Sequence, residues 1–194
     1  LLQLDGFQFF SDSAREPKRV DLRQVQCRRC QAIFLNPCYS REGFGILFSE
    51  AGRSYGSTES RAAEQVQWLE GHDLLRPGSV LLDVGCGQGR FLAALPPHLS
   101  RIGFDIVGPS IERGREQFGD LGVQFVEGAF DDFESPQAPD VITLFHVLEH
   151  LDDPVGALRH LADLAHENTA LVVEVPILEL GTTNDINGFF SVQH

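Results

Sequence analysis

Apolar runs and amphipathic stretches alternate along the chain from residue 59 onward. Unbroken apolar runs predict strands of a parallel sheet, because such a sheet is covered on both faces and buries nearly every side chain. Apolar residues at helical spacing, such as Ala62, Val66 and Leu69, predict the helices between them. The predicted strands are 79–85, 101–106, 123–128, 140–147 and 170–175, and the predicted helices are 59–71, 89–95, 110–119 and one beginning at Pro154. This alternation predicts an open, doubly wound α/β sheet that binds ligands at the carboxyl ends of its strands.

The first 57 residues lack this periodicity. We therefore expect an irregular N-terminal segment over 1–57 and the sheet domain over 58–194. The segment holds Cys27, Cys30 and Cys38, whereas Cys86 lies in a glycine-rich stretch. This distribution is not that of a disulfide framework, so it favours a reducing, cytoplasmic setting. The opening LLQLDGFQFF lacks a basic region and a cleavage site, and a signal peptide is not expected.

The charge balance limits the partners. The chain has 28 acidic and 15 basic residues, a formal net charge of −13. A nucleic acid would be repelled by this field, so no nucleic-acid partner is expected. No apolar run approaches the ~18 residues that a membrane span requires, so no membrane partner is expected either. The charge is compatible with a neutral or cationic small molecule, or with one bound to a carrier.

Three glycines follow the first predicted strand of the sheet in the stretch VLLDVGCGQGRFL. Gly85, Gly87 and Gly89 fall at every second position and open a helix. Glycine lets a ligand approach the backbone closely, and a helix start offers unpaired N–H groups, so the turn is expected to hold a polar or anionic group. A dinucleotide site places its last glycine three residues beyond the second, where this chain has Arg90. A nicotinamide-dependent oxidoreductase is therefore the weaker alternative.

The glycine stretch resembles motif I of the class I S-adenosylmethionine-dependent methyltransferases. Asp105 stands at the end of the next predicted strand, FVEGAFDDF (125–133) is similar to the family's adenine-flanking loop, and FHVLEHLDDP (145–154) resembles a segment of its sugar and ubiquinone-pathway subgroup. The resemblance covers roughly residues 60–176. It implies a Rossmann-like methyltransferase sheet, S-adenosyl-L-methionine as cofactor, and methyl transfer to an O, C or N atom of a small molecule such as a sugar, polyketide or quinone.

The resemblance also implies a set of cofactor-binding residues. Asp105 would bind the ribose hydroxyls, since one carboxylate accepts hydrogen bonds from two neighbouring O–H groups. Many relatives carry an aspartate where this chain has Ala129, so the contact to the adenine amino group is either missing or supplied by the nearby Asp131. Cys86 is expected to be a small buried residue rather than a nucleophile. The complete set is Asp83, Gly85, Cys86, Gly87, Gly89, Asp105, Ile106, Ala129, Phe130, Asp131 and Phe145.

Candidate catalytic residues follow the fourth strand of the predicted sheet. His146, Glu149 and His150 share a face if the turn after that strand is helical. An imidazole can act as a general base near pH 7. A divalent metal is a second possibility, but a histidine at 146 suits a hard cation poorly, and no metal ligand is assigned. A structural role for His150 is the third.

Two further features concern the ends of the chain. Cys27-Arg28-Arg29-Cys30 followed by Asn36-Pro37 resembles half of a small zinc ribbon, but residues 1–26 contain no cysteine to complete four ligands. The implied fold has seven strands and only five are predicted, so the last two are expected to be absent. An open sheet edge would result, and a homodimer could cover it. A non-catalytic cofactor-binding or scaffold protein with a degenerate methyltransferase fold is the alternative function.

Overall fold

The computed structural model divides the chain into two units, Leu1–Tyr55 with Glu179–His194, and Gly56–Leu178. The structure describes residues 3–9, 18–31, 33–38, 40, 59–130 and 133–175.

The first unit contains an antiparallel sheet. Its strands are β1 (Gln3–Phe9), β2 (Lys18–Gln26) and β3 (Ile33–Leu35), in the order β1-β2-β3. The expectation that residues 1–57 are irregular is therefore wrong for these three stretches. Val20 and Leu22 alternate with charged residues along β2, and such a period of two is typical of an antiparallel strand rather than of a buried parallel one.

The second unit is the α/β sheet that the sequence predicts. Its strand order is β6-β5-β4-β7-β8, and all neighbouring strands are parallel. Each predicted element is present, with ends within about two residues of the prediction. The elements are α1 (Glu59–Gly71), β4 (Val80–Val84), α2 (Arg90–Ala94), β5 (Ser100–Asp105), α3 (Gly108–Phe118), β6 (Val123–Glu127), β7 (Val141–Phe145), α4 (Pro154–Leu164) and β8 (Ala170–Glu174).

Both faces of the central strands are buried. Leu81 belongs to a core cluster that includes Leu69 of α1, whereas Leu82 belongs to a second cluster with Leu161 of α4. Successive side chains of a strand point to opposite faces, so neighbouring leucines of β4 join different layers. Burying each such side chain contributes about 1.5–3 kcal/mol relative to an exposed one. This two-sided burial explains the unbroken apolar run of β4.

Strand β8 departs from this pattern. Leu171 and Val173 are 45% and 38% exposed, although the run ALVVEV predicts burial on both faces. The reason is position, because β8 is the outer strand of the order that the structure describes. The expected loss of two further strands concerns residues beyond Glu174, and residues 176–194 lie outside the described part.

Among the helices of the described ranges, none is both long and apolar enough to cross a bilayer.

Candidate functional site

The candidate site lies at the carboxyl ends of β4, β5, β7 and β8. Strands β5 and β6 lie on one side of β4, and β7 and β8 lie on its other side. The direction in which successive strands are added to the sheet therefore reverses at β4. In open α/β sheets a crevice forms at this point, outside the carboxyl ends of the strands. The glycine stretch follows β4, and the predicted histidines follow β7.

The three glycines of the turn have different neighbours. All three have left-handed backbone, with φ of 74° at Gly85, 55° at Gly87 and 79° at Gly89. A Cβ atom at Gly85 would lie 2.3 Å from Cγ2 of Val147, and one at Gly89 would lie 2.5 Å from the Phe125 ring. A Cβ at Gly87 would have no atom within 4 Å. Gly85 and Gly89 are therefore packed against side chains, while Gly87 borders open space that a ligand can enter.

Asp105 joins the glycine turn to the end of β5. Its Oδ2 accepts a hydrogen bond from the Gly87 N–H at 2.7 Å, and its Oδ1 accepts one from the Val107 N–H at 2.8 Å. Burial raises the pKa of Asp105 above its ordinary value, although these N–H donors act in the opposite direction. Each carboxylate oxygen can accept a second hydrogen bond, so Asp105 can still accept hydrogen bonds from a ligand.

Asp83 is buried beneath the site rather than exposed in it. It is 4% exposed, and its Oδ1 accepts a hydrogen bond from the hydroxyl of the fully buried Thr143 at 2.7 Å. Burial raises the pKa of Asp83 to about 7. Asp83 thus supports the end of β4 from inside the sheet.

The other predicted cofactor-binding residues differ in exposure. Ile106, next to Asp105, is 62% exposed, an unusual position for a large apolar side chain beside a crevice. Phe130 packs against the Phe104 ring, with ring centres 6.3 Å apart, and Ala129 before it is half-buried. Phe145 meets the Phe91 ring edge-on at 5.0 Å. Asp131 lies outside the described residues.

Cys86 is buried within the glycine turn. Its pKa is raised well above the ordinary value by burial and by the nearby Asp83 and Asp105. A buried thiol of this kind is a poor nucleophile, because the thiolate is the reactive form.

The predicted histidines and glutamate come together after β7. A short 3-10 turn at Leu148–His150 places Nδ1 of His146 3.4 Å from Oε1 of Glu149, and Nε2 of His150 3.9 Å from the same oxygen. Burial lowers the pKa of His150 below its ordinary value, with Glu149 opposing and His146 adding to the effect. The lowered pKa favours the neutral form of the His150 imidazole.

His146 has a strained backbone. Its φ of 56° lies in the left-handed region, where residues other than glycine are uncommon, and its N–H donates to the Glu174 carbonyl at 2.9 Å. Such strain of about 1–3 kcal/mol is concentrated at functional sites.

Three residues beside His146, namely Arg61, Gln65 and Glu174, are not predicted from the sequence. Oε1 of Glu174 lies 3.0 Å from Nε2 of His146, and Nη2 of Arg61 contacts both groups. Nε2 of Gln65 donates to Oε2 of Glu174 at 3.2 Å. The position of Glu174 at a strand end is the one available signal. Nothing in the sequence brings α1 to β8.

Two places were considered for a metal ion, the segment 146–150 after β7 and the cysteine pair at 27 and 30. Among the described ranges, no group of three or more His, Cys, Asp or Glu side chains is arranged to hold a metal ion. In the first unit, Cys27 and Cys30 form a tight turn in which the Cys27 carbonyl accepts from the Gln31 N–H at 2.9 Å. Backbone N–H groups of Cys30 and Arg29 lower the pKa of the Cys27 thiol.

Comparison with known proteins finds one matching family profile and several relatives that match part of the chain. A family profile described as a methyltransferase domain matches residues 57–187. The ubiquinone biosynthesis O-methyltransferases of Aliivibrio fischeri (strain MJ11) and Aeromonas salmonicida (strain A449) are 30% and 31% identical over 98 residues, which are 45% of this chain. The match spans 39% of the length of each of these curated relatives.

A solved structure shares the fold. Magnesium protoporphyrin IX methyltransferase from Synechocystis PCC 6803, crystallised with S-adenosylhomocysteine (SAH), has a TM-score of 0.55 and 20% identity. The superposition covers 65% of this chain and 68% of that one. The similarity confirms the Rossmann-like sheet of the second unit.

We expect Gly89→Ala to lower the free energy of unfolding by about 2–4 kcal/mol, because left-handed backbone and the Phe125 ring both oppose a Cβ there. Gly87→Ala is the matched control, with similar backbone but open space, and is expected to cost only about 1 kcal/mol. Urea unfolding of the two variants measures the difference. Equal losses would contradict the packing role of Gly89.

Asp83 makes stability depend on pH. The native state keeps a proton on Asp83 up to about pH 7, whereas an unfolded carboxyl loses it near 4, so the free energy of unfolding falls as pH rises through this window. Asp83→Asn removes this dependence. Its stability relative to the unsubstituted protein is expected to rise between about pH 5 and pH 8, by on the order of 3 kcal/mol at most.

Asp120→Asn, at an exposed position, is the control for this experiment, since it removes a charge of the same sign from the surface. Parallel stability–pH curves for the Asp83 variant and the unsubstituted chain would show that the buried carboxyl does not titrate in this way.

Proposed function

This chain belongs to the methyltransferase domain family, and we propose that it transfers a methyl group from S-adenosyl-L-methionine to a small molecule. The observation that carries the proposal is the glycine turn after β4. Its central glycine borders open space and is tied to Asp105 at the switch in strand order. The similarity to ubiquinone biosynthesis O-methyltransferases supports an oxygen acceptor.

The residues present suit the methyl donor. The exposed Ile106 offers an apolar surface to an adenine ring, and Asp105 retains acceptor capacity for ribose hydroxyls beside it. The open space at Gly87 admits the amino-acid part of the donor next to the backbone. When bound, the donor supplies an electrophilic methyl group on a positively charged sulfur.

The cluster after β7 suits the acceptor side. We assign His146 as the base that takes the proton of the acceptor hydroxyl at Nδ1, because its Nε2 already contacts Glu174 and Arg61. The proton moves as the new oxygen–carbon bond forms and the sulfur–carbon bond breaks. Glu149 lies against its Nδ1, and His150, whose pKa is lowered, is the second candidate for the base. Most of the rate is assigned to holding the reactants in line, with the base contributing a further factor of about 10²–10⁴.

The proposal includes an assembly and a setting. A homodimer that pairs along β8, the outer strand of the described order, would cover the backbone hydrogen-bonding groups of that edge. A reducing cytoplasmic setting is supported by the four cysteines, all of which are described and are free thiols. Sedimentation at several concentrations tests the dimer.

Calorimetry with SAH tests the donor site. We expect Gly87→Ala and Asp105→Ala to weaken binding by about 10–100-fold, because the first fills the space for the ligand and the second removes hydrogen bonds to a charged group. Gly78→Ala is the matched control, since Gly78 also has left-handed backbone and open space but lies in the turn before β4. Binding by all three variants as tight as that of the unsubstituted chain would refute the donor site.

A panel of acceptors tests catalysis. Radiolabelled donor is offered with a catechol, a simple phenol, an enol and an amine. His146→Asn, which tolerates left-handed backbone, is expected to lower the rate on the accepted compound by about 10²–10⁴ while SAH binding stays within threefold. His98→Gln is the control, because this exposed histidine precedes β5 and lies at the amino end of that strand, away from the site. Donor binding without turnover across a wider panel would favour the scaffold alternative.

A further inference from the structure

Glu174 holds three separate parts of the site in one cluster. Its carboxylate lies 3.0 Å from Nε2 of His146 after β7, and it accepts hydrogen bonds from Arg61 and Gln65 of α1. Its carbonyl also accepts the His146 N–H, so backbone and side chain of one residue both engage the same histidine. The last residue of β8 therefore determines where this imidazole lies.

The carboxylate is held in its ionised form. Burial alone would raise the pKa of Glu174, but hydrogen bonds from Gln65, His146 and Arg61 outweigh it and lower the pKa below its ordinary value. Glu174 is thus a fixed acceptor rather than a base. It stays charged beside the imidazole over the whole range in which a histidine titrates.

Gln65 donates a hydrogen bond to Glu174, but its own buried oxygen lowers the stability of the fold. Gln65 is 7% exposed and donates through Nε2 to Glu174, while its own Oε1 has no hydrogen-bond partner among the described residues. A buried acceptor without a partner costs about 1–3 kcal/mol, and such groups in native proteins call for an explanation. Stability alone would favour an apolar residue at this position.

We infer that Glu174 is a positioning residue for the His146 base and that Gln65 of α1 orients Glu174 for this purpose. The inference rests on the proposed function, in which His146 takes the acceptor proton. His146 lies between Glu149, 3.4 Å from Nδ1, and Glu174, 3.0 Å from Nε2, and Nη2 of Arg61 also contacts Nε2. The ring therefore cannot turn without losing contacts at both nitrogens. Glu174 also offsets the positive charge that develops when the imidazole takes the proton.

The first test is a spectrum of the histidine side-chain nitrogens, with the His146 signals assigned by their loss in His146→Asn. In Glu174→Gln we expect the Nε2 signal of His146 to shift, because the negative charge 3.0 Å from this nitrogen is gone. Glu167→Gln, at an exposed position in the turn after α4, is the control and leaves the signal in place. This measurement needs no acceptor, so it decides the inference even if the proposed methyl transfer fails.

The second test separates positioning from stability. Gln65→Met removes the unpaired Oε1 together with the donor to Glu174, so the melting temperature is expected to stay the same or rise. The His146 signal is expected to shift in the direction seen for Glu174→Gln. With an accepted compound from the panel, kcat is expected to fall roughly 10–100-fold in both variants, with KM for the donor unchanged.

Two results would overturn the inference. One is an unshifted Nε2 signal of His146 in folded Glu174→Gln or in Gln65→Met. The other is a loss of activity in Gln65→Met that follows a loss of melting temperature, as a purely structural role predicts. Absence of methyl transfer in the unsubstituted chain, with the shift present, would refute the proposed function and leave the anchoring of His146 by Glu174 intact.

Discussion

The Asp105 carboxylate is the contact on which the donor side of the site depends. One oxygen holds the Gly87 N–H of the turn after β4, and the other holds the Val107 N–H of the turn after β5. Without this acceptor the two N–H groups at the strand ends would lack a partner in a largely buried place, and an unpaired buried donor costs about 1–3 kcal/mol. One side chain therefore fixes the relative position of two neighbouring turns. In the proposed function the same carboxylate accepts hydrogen bonds from the ribose of the donor, so Asp105 would serve both the structure of the two turns and the binding of the donor.

The acceptor side depends on a different kind of constraint. His146 carries left-handed backbone strain, Gln65 carries an unpaired buried oxygen, and two carboxylates face one imidazole. The first two features oppose stability, and all three lie where α1 meets the carboxyl ends of β7 and β8. Folded proteins tolerate such conflicts at sites where function requires a fixed geometry. The buried core of β4 and its neighbours supplies the stability that maintains them.

The elements and the glycine turn could be predicted from the sequence because their signals are local. Continuous apolar runs identified all five parallel strands, and Asp153 caps α4 ahead of Pro154 through the Gly156 N–H, as expected for a helix that starts with proline. The N-terminal strands were not predicted because single apolar residues such as Val20 and Leu22 stand between charged ones, and so short an alternation is a weak local signal. The exposed face of β8 was missed because an apolar run does not reveal whether a strand is central or at an edge.

The sequence by itself determined the order of strands and helices along the chain, the glycines of the turn after β4 and the acidic residue that ends β5. Each of these follows from interactions between residues that are close in the chain. Only the tertiary structure decided that Arg61 and Gln65 meet Glu174, more than 100 residues away, and that His146 lies between two carboxylates. The physical reason is that α1 reaches β8 through packing on the intervening strands. Such a meeting is set by the summed geometry of the sheet, and no local spacing of residues encodes it.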